Sequence, residues 1–221
     1  MFLGDDFQVD NDSEGAHNWN TSEYDEDPID NGFDIRDYIF VAENRLILIC
    51  PSSEHDENES ISRRRAEYRD QTEIDLDDAH SMDFIFDIQN YDNESELIMA
   101  QLHNDSPDAR RPYITVLSED GTIRLQRTNA PTGSRSLRSD QTIPFRAGNQ
   151  YRITIESESG DRSIYARIIN LGTGEQAEMT FDFAEDWSDL NGTFYWKFGS
   201  YMPDGGSTET QMRMESIDIT G

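Results

Sequence analysis

Lysine is almost missing from this chain of 221 residues. Lys197 is the only one, every other basic side chain is Arg, and 46 Asp and Glu leave a formal net charge of −28. A body this anionic repels polyanions, which excludes nucleic acid and anionic membrane surfaces as general partners. It also repels itself, a cost that concentrated salt screens because the Debye length falls to about 3 Å at 1 M. The expectation is a salt-adapted protein. A single acidic tail explains the charge less well, since the acids are spread along the chain.

Cysteine is as scarce. Cys50 stands alone, so neither an internal disulfide nor a cysteine metal cluster is possible. It closes the run Leu46-Ile47-Leu48-Ile49, the setting of a buried, inert thiol. No apolar run reaches the roughly 20 residues of a membrane-spanning helix, so membrane insertion is not expected. Met1-Phe2-Leu3-Gly4 leads straight into Asp5 and Asp6, without the basic start and apolar centre of a standard secretion signal. His17, His55 and His80 show no ligand spacing, and no metal or cofactor is expected.

Helical periodicity is the third absence. From residue 37 onward the pattern is one of short strands, expected at 38–42, 46–50, 60–69, 82–88, 97–103, 113–117, 122–127, 151–157, 163–170, 177–183, 192–201 and 211–220. Alternation is plainest in Tyr151, Ile153, Ile155 and in Ile164, Ala166, Ile168. Turn residues recur between the strands, as in Glu119-Asp120-Gly121 and Gly172-Thr173-Gly174. One short helical turn fits 184–190. The fold class this predicts is all-β, a two-sheet antiparallel β-sandwich of jelly-roll type.

Two regions depart from that pattern. Residues 1–34 hold eleven Asp or Glu and no Lys or Arg, so they are expected to form an acidic arm, flexible or docked on a partner, preceding a β domain at 35–221. Within the arm, Asp10-Asn11-Asp12-Ser13-Glu14-Gly15 opens like a calcium loop but lacks the twelfth-position Glu, which favours a solvated acidic loop. Residues 128–141 form a Ser/Thr/Arg/Pro-rich loop. With Arg110, Arg111, Arg124, Arg127, Arg135 and Arg138 it concentrates cation, either to balance nearby acids or as the lip of a groove for an anionic polymer.

Three of the expected strands carry reactive groups on one side. Side chains alternate along a strand. Gln101 and His103 therefore share a face, with Leu97 and Met99, opposite Ile98, Ala100 and Leu102. Arg63, Arg65, Glu67 and Arg69 oppose Arg64, Ala66 and Tyr68. Tyr195, Lys197, Gly199 and Tyr201 oppose Phe194, Trp196 and Phe198. One sheet with a polar working face follows.

Those three strands resemble polysaccharide lyase family 7, the alginate lyases, and the related glucuronan lyases. The family's Arg-x-Glu-x-Arg strand is matched by Arg65-Ala66-Glu67-Tyr68-Arg69. Its Gln-(Ile/Val)-His strand is matched by Gln101-Leu102-His103, and its Tyr-Phe-Lys-Ala-Gly-x-Tyr strand by Tyr195-Trp196-Lys197-Phe198-Gly199-Ser200-Tyr201. The motifs occur in the family's order. Phe198 stands where the family has Ala, and Pro203 where it has a closing Gln, which bears on substrate identity.

The resemblance implies a concanavalin-like jelly roll that binds an anionic, uronic-acid polysaccharide and cuts it by β-elimination, without a cofactor. Removing the C5 proton requires that the neighbouring carboxylate be neutralised, a task for the Gln101 amide and, by the resemblance, the Arg69 guanidinium. His103 has an intrinsic pKa near neutrality and suits the general base. Tyr201 would protonate the leaving oxygen, or act as base on the opposite C5 epimer. Tyr195, Lys197, Arg65 and Arg127 would bind the polymer, and Glu67 would hold the arginines in place.

Plainer readings stand beside these. His103 alone would be a structural histidine, Tyr195 and Tyr201 surface aromatics, and 63–69 a solvated basic edge. The whole can equally be a non-catalytic glycan-binding or structural protein on the same jelly roll. An extracellular or virion-associated place without a secretion signal points to delivery by an assembly, with the acidic arm as its attachment.

Overall fold

The computed structural model describes residues 19–22, 39–50, 64–69, 74–91, 95–109, 111–132, 135–138, 141–158, 160, 163–182, 187, 190, 192–202 and 209–220. The acidic motif at 10–15, Arg63, Arg110 and Pro203 lie outside them. In chain order the strands are β1 (Trp19–Ser22), β2 (Ile39–Ala42), β3 (Arg45–Cys50), β4 (Arg64–Arg69), β5 (His80–Gln89), β6 (Leu97–Asn104), β7 (Ile114–Glu119) and β8 (Thr122–Thr128). There follow β9 (Arg135–Arg138), β10 (Ile143–Pro144), β11 (Gln150–Ser157), β12 (Ser163–Asn170), β13 (Gln176–Asp182), β14 (Phe194–Met202) and β15 (Thr210–Thr220).

They form two antiparallel sheets. One runs β1-β4-β14-β6-β7-β8-β10, with β9 also pairing β8; the other runs β13-β12-β11-β5-β15-β3-β2. This is the expected all-β sandwich of jelly-roll type. Strands distant in sequence, such as β4 and β14, become neighbours, which is how the three motif strands come to lie side by side.

Alternating burial explains why the sheets stack. On β5, Met82, Phe84, Phe86 and Ile88 point inward; on β11 so do Tyr151, Ile153 and Ile155. From the opposite sheet Trp196, Phe198 and Met202 meet them, with the Phe84 and Phe198 rings 6.3 Å apart. Burying each such side chain contributes roughly 1.5–3 kcal/mol. Cys50 is buried in this core and takes part in no disulfide. The β2–β3 hairpin turns at Glu43 and Asn44, both at positive φ (54° and 59°), the pairing of signs that suits strand twist.

Three strands have no counterpart in the pattern of the sequence. β1, inside the acidic arm, adds itself to the edge of β4, with Trp19 opposite Tyr68 and Asn20 opposite Glu67. β9 lies in the Arg-rich stretch and pairs with β8, and β10 is two residues long. All are short and supported by a neighbouring strand, so they carry little periodicity of their own.

The faces of β6 also differ from simple alternation. Leu97, Met99, Ala100 and Leu102 all belong to the inter-sheet core, whereas Ile98 does not. The cause is a bulge at Met99: Ala100 pairs Val116 while Ile98 pairs Leu117, leaving one extra residue on β6. Ile98 therefore shares the outer face with Gln101 and His103, and Leu97 and Met99 turn inward.

Candidate active site

The outer face of β4, β14 and β6 gathers the motif residues by register. Directly opposed residues in an antiparallel pair lie on the same face. Lys197 is opposite Gln101 on one side and Arg69 on the other; Tyr195 is opposite His103; Tyr201 is opposite Arg65; Gly199 is opposite Glu67. Arg65 and Arg69 are located here by backbone register.

Glu67 and Gln101 sit two strands apart, with β14 between them. Their side chains nevertheless meet, Gln101 Nε2 donating to Glu67 Oε1 at 2.5 Å. The residue of β14 at Glu67's own level is Gly199, which carries no side chain to block the crossing. Its φ of 148° is one that glycine adopts readily and other residues rarely do. Glu67 and Gln101 are both buried, so this bond fixes the amide from below and leaves its remaining capacity to face outward.

His103 is set by its own strand end. Its Nδ1 lies 2.8 Å from the carbonyl oxygen of Asn104. A carbonyl only accepts, so Nδ1 carries the proton and Nε2 is the basic nitrogen of the neutral ring. Asn104 is itself anchored: its Oδ1 accepts from Ser106 N at 2.8 Å, and Asp105 Oδ1 accepts from Thr193 N at 2.8 Å. Gly192 allows this knot, because a Cβ there would stand 2.4 Å from Asp105 Oδ1.

The aromatic groups complete the arrangement. The Tyr195 ring stacks on His103 (centroids 5.7 Å apart, planes 24° apart), and Lys197 Nζ lies 6.0 Å from the Tyr195 centroid. His103 and Tyr201 are partly exposed, whereas Gln101, Lys197 and Tyr195 are buried. The groups able to move protons thus reach solvent, above a sheltered polar floor. Among the described residues no three His, Cys, Asp or Glu side chains cluster as metal ligands would.

Arg127 is not part of this face. It shares the face of the core residues Ile123 and Leu125 and points between the sheets. There its Nη1 donates to the Asp182 carbonyl on β13 and its Nη2 to Asn129 Oδ1 at 2.8 Å. Arg124, on the opposite face, pairs with Glu119 at 3.3 Å. The outer-face residues of β8 are Thr122, Arg124, Gln126 and Thr128.

A jelly-roll sandwich with an Arg/Glu, Gln/His and Tyr/Lys triple strand across one face defines the class. The chain belongs to the alginate lyase family: the family model Alginate_lyase2 matches residues 9–220. Among solved structures, a family 7 alginate lyase in complex with substrate is 17% identical over 83% of this chain and 81% of that one, with a TM-score of 0.64. An alginate lyase from Pseudomonas aeruginosa is 14% identical over 87% and 89%, TM-score 0.65. The CBM2 module of the evolved Dit of Lactobacillus casei BL23 phage J-1 is 9% identical over 96% and 93%, TM-score 0.58. At these identities the structures establish a shared fold. No curated protein sequence matches the chain.

Proposed function

We propose that this protein is a salt-adapted polysaccharide lyase that cuts a uronic-acid polymer by β-elimination. The observation that carries the reading is the convergence of Gln101, His103, Lys197, Tyr195 and Tyr201 from two adjacent strands onto one face, beside the arginines of a third. The uronate carboxylate would sit over Gln101, with Arg69 and Lys197 at the same level, so that charge developing on it is stabilised by oriented donors. His103 Nε2 would take the C5 proton. The electron pair left behind forms the C4–C5 double bond as the C4–O glycosidic bond breaks, and Tyr201 supplies a proton to the departing oxygen. Tyr195 and Arg65 position the sugar; Glu67 orients Gln101 through their 2.5 Å bond.

The electrostatics support an anionic substrate only locally. A net charge of −28 opposes a polyanion, and salt that shortens the Debye length leaves the short-range contacts of the site intact. Alginate is the first substrate to try, since the structures that share the fold include alginate lyases.

The test is the ultraviolet absorbance of unsaturated uronate products, at high salt, from polymannuronate, polyguluronate and glucuronan. An increase with wild type that disappears in His103→Ala supports the lyase with His103 as base. Binding without any increase favours the second reading, a glycan-binding component of an extracellular or virion assembly. The fold shared with a phage Dit module over 96% of the chain is the observation behind that alternative.

A further inference from the structure

The level that carries Lys197 and Gln101 does not stop at β6. Gln101 is opposite Thr115 on β7, and Thr115 is opposite Gln126 on β8. These three strands therefore place an amide, a hydroxyl and a second amide in one line across the outer face, continuing from Lys197 on β14. With strands about 4.8 Å apart, Gln126 stands roughly 10 Å from Gln101, two strand spacings along the line.

Thr115 and Gln126 are each only 1% exposed, yet Thr115 Oγ1 and both Gln126 side-chain atoms, Oε1 and Nε2, have no hydrogen-bond partner. Buried amides are almost always bonded, because an unmade bond costs the desolvation of the group. Their shelter is comparable to that of Glu67, at 2%, whose partner is Gln101 itself. They lie on the face opposite the core residues Ile123 and Leu125, where Ile98 and Leu117 are buried as well.

Resting on the lyase reading above, we propose that Thr115 and Gln126 form a subsite that reads the hydroxyl groups of a sugar flanking the one held at Gln101. Neutral dipoles that both donate and accept match sugar hydroxyls, whereas the Lys197 end of the line matches a carboxylate. The subsite selects by hydroxyl pattern, and it tolerates a flanking sugar without a carboxylate.

The experiment compares wild type, Gln126→Leu and Thr115→Val as full chains, by steady-state kinetics, product length and melting, with calorimetric binding of oligouronates alongside. Leu matches the shape of Gln without its hydrogen bonds. KM or Kd should rise about 3- to 10-fold in each variant, with kcat within twofold and shorter products favoured less strongly. Tm should hold or rise, because the unpartnered polar group is gone. Unchanged KM, Kd and product length in both variants, with wild type active or binding, overturn the subsite alone. A lowered Tm with unchanged affinity assigns the two residues to structure and overturns it as well. A wild type that neither cuts nor binds any uronate overturns the lyase reading and the subsite with it.

Discussion

The two sheets differ in how the central strands of their outer faces use polar residues. On the sheet centred on β5 and β15, charges satisfy one another. Asp87, almost fully buried, accepts from Arg213 Nε at 2.7 Å and Arg45 Nη1 at 3.2 Å, and Asp83 accepts from Arg152 Nε at 2.9 Å and Thr154 Oγ1 at 2.7 Å. On the sheet carrying the site, Thr115 and Gln126 keep buried polar atoms without partners. Where carboxylates and arginines match one another, as at Asp87 and Asp83, little is left to offer a ligand. A face that holds donors and acceptors in reserve costs stability and is where binding is to be sought.

That contrast can be broken most severely at His103. His103→Ala should lower kcat about 10²–10⁴-fold while leaving the fold intact, measured as loss of unsaturated product with an unchanged melting curve. An equal loss from Asp87→Asn would erase the distinction between the faces.

The next effect lies between the sheets. His80 is buried at the start of β5, its ring 5.9 Å from that of Trp196 on β14, and both His80 nitrogens lack partners. Burial pulls its pKa from 6.5 down to about 4. The unfolded chain thus binds a proton more readily. Stability from the neutral ring is complete above pH 6.5 and is lost as the pH falls toward 4, a change of about 3 kcal/mol. Urea titrations across that window should show the slope, and His80→Leu should flatten it.

Glu67 sharpens the comparison on the site's own face. Glu67→Leu removes the acceptor that holds Gln101 and should lower kcat roughly 10- to 100-fold, because a misplaced amide no longer meets the developing charge. Glu67→Gln keeps an acceptor oxygen at the same place and should restore most of the rate. Equal activity in Leu and Gln variants would show that Gln101 needs no positioning.

The smallest effect belongs to the other face. Asp87→Asn should cost about 1–2 kcal/mol, moderated because Arg45 and Arg213 reach solvent, and lower Tm by roughly 3–6 °C with kcat unchanged.

The sequence by itself determined the all-β class, most strand positions and the motif order, because alternation and turn residues are local and period-two patterns can be counted along the chain. Arg127 was expected to bind the polymer because of its Arg-rich surroundings; the parity it shares with Ile123 and Leu125 was the signal that would have placed it on the inward face. Phe194, Trp196 and Phe198 were legible as a core side by the same alternation. Tertiary structure alone decided the rest. The bulge at Met99 reverses the outlook of Leu97 and Ile98, since it depends on register with β7. Glu67 reaches Gln101 only because β14 inserts Gly199 between them, and Thr115 and Gln126 join the polar line only through pairing across three strands. Which residues stand opposite one another is a property of strand pairing, and strand pairing joins segments that the chain keeps far apart.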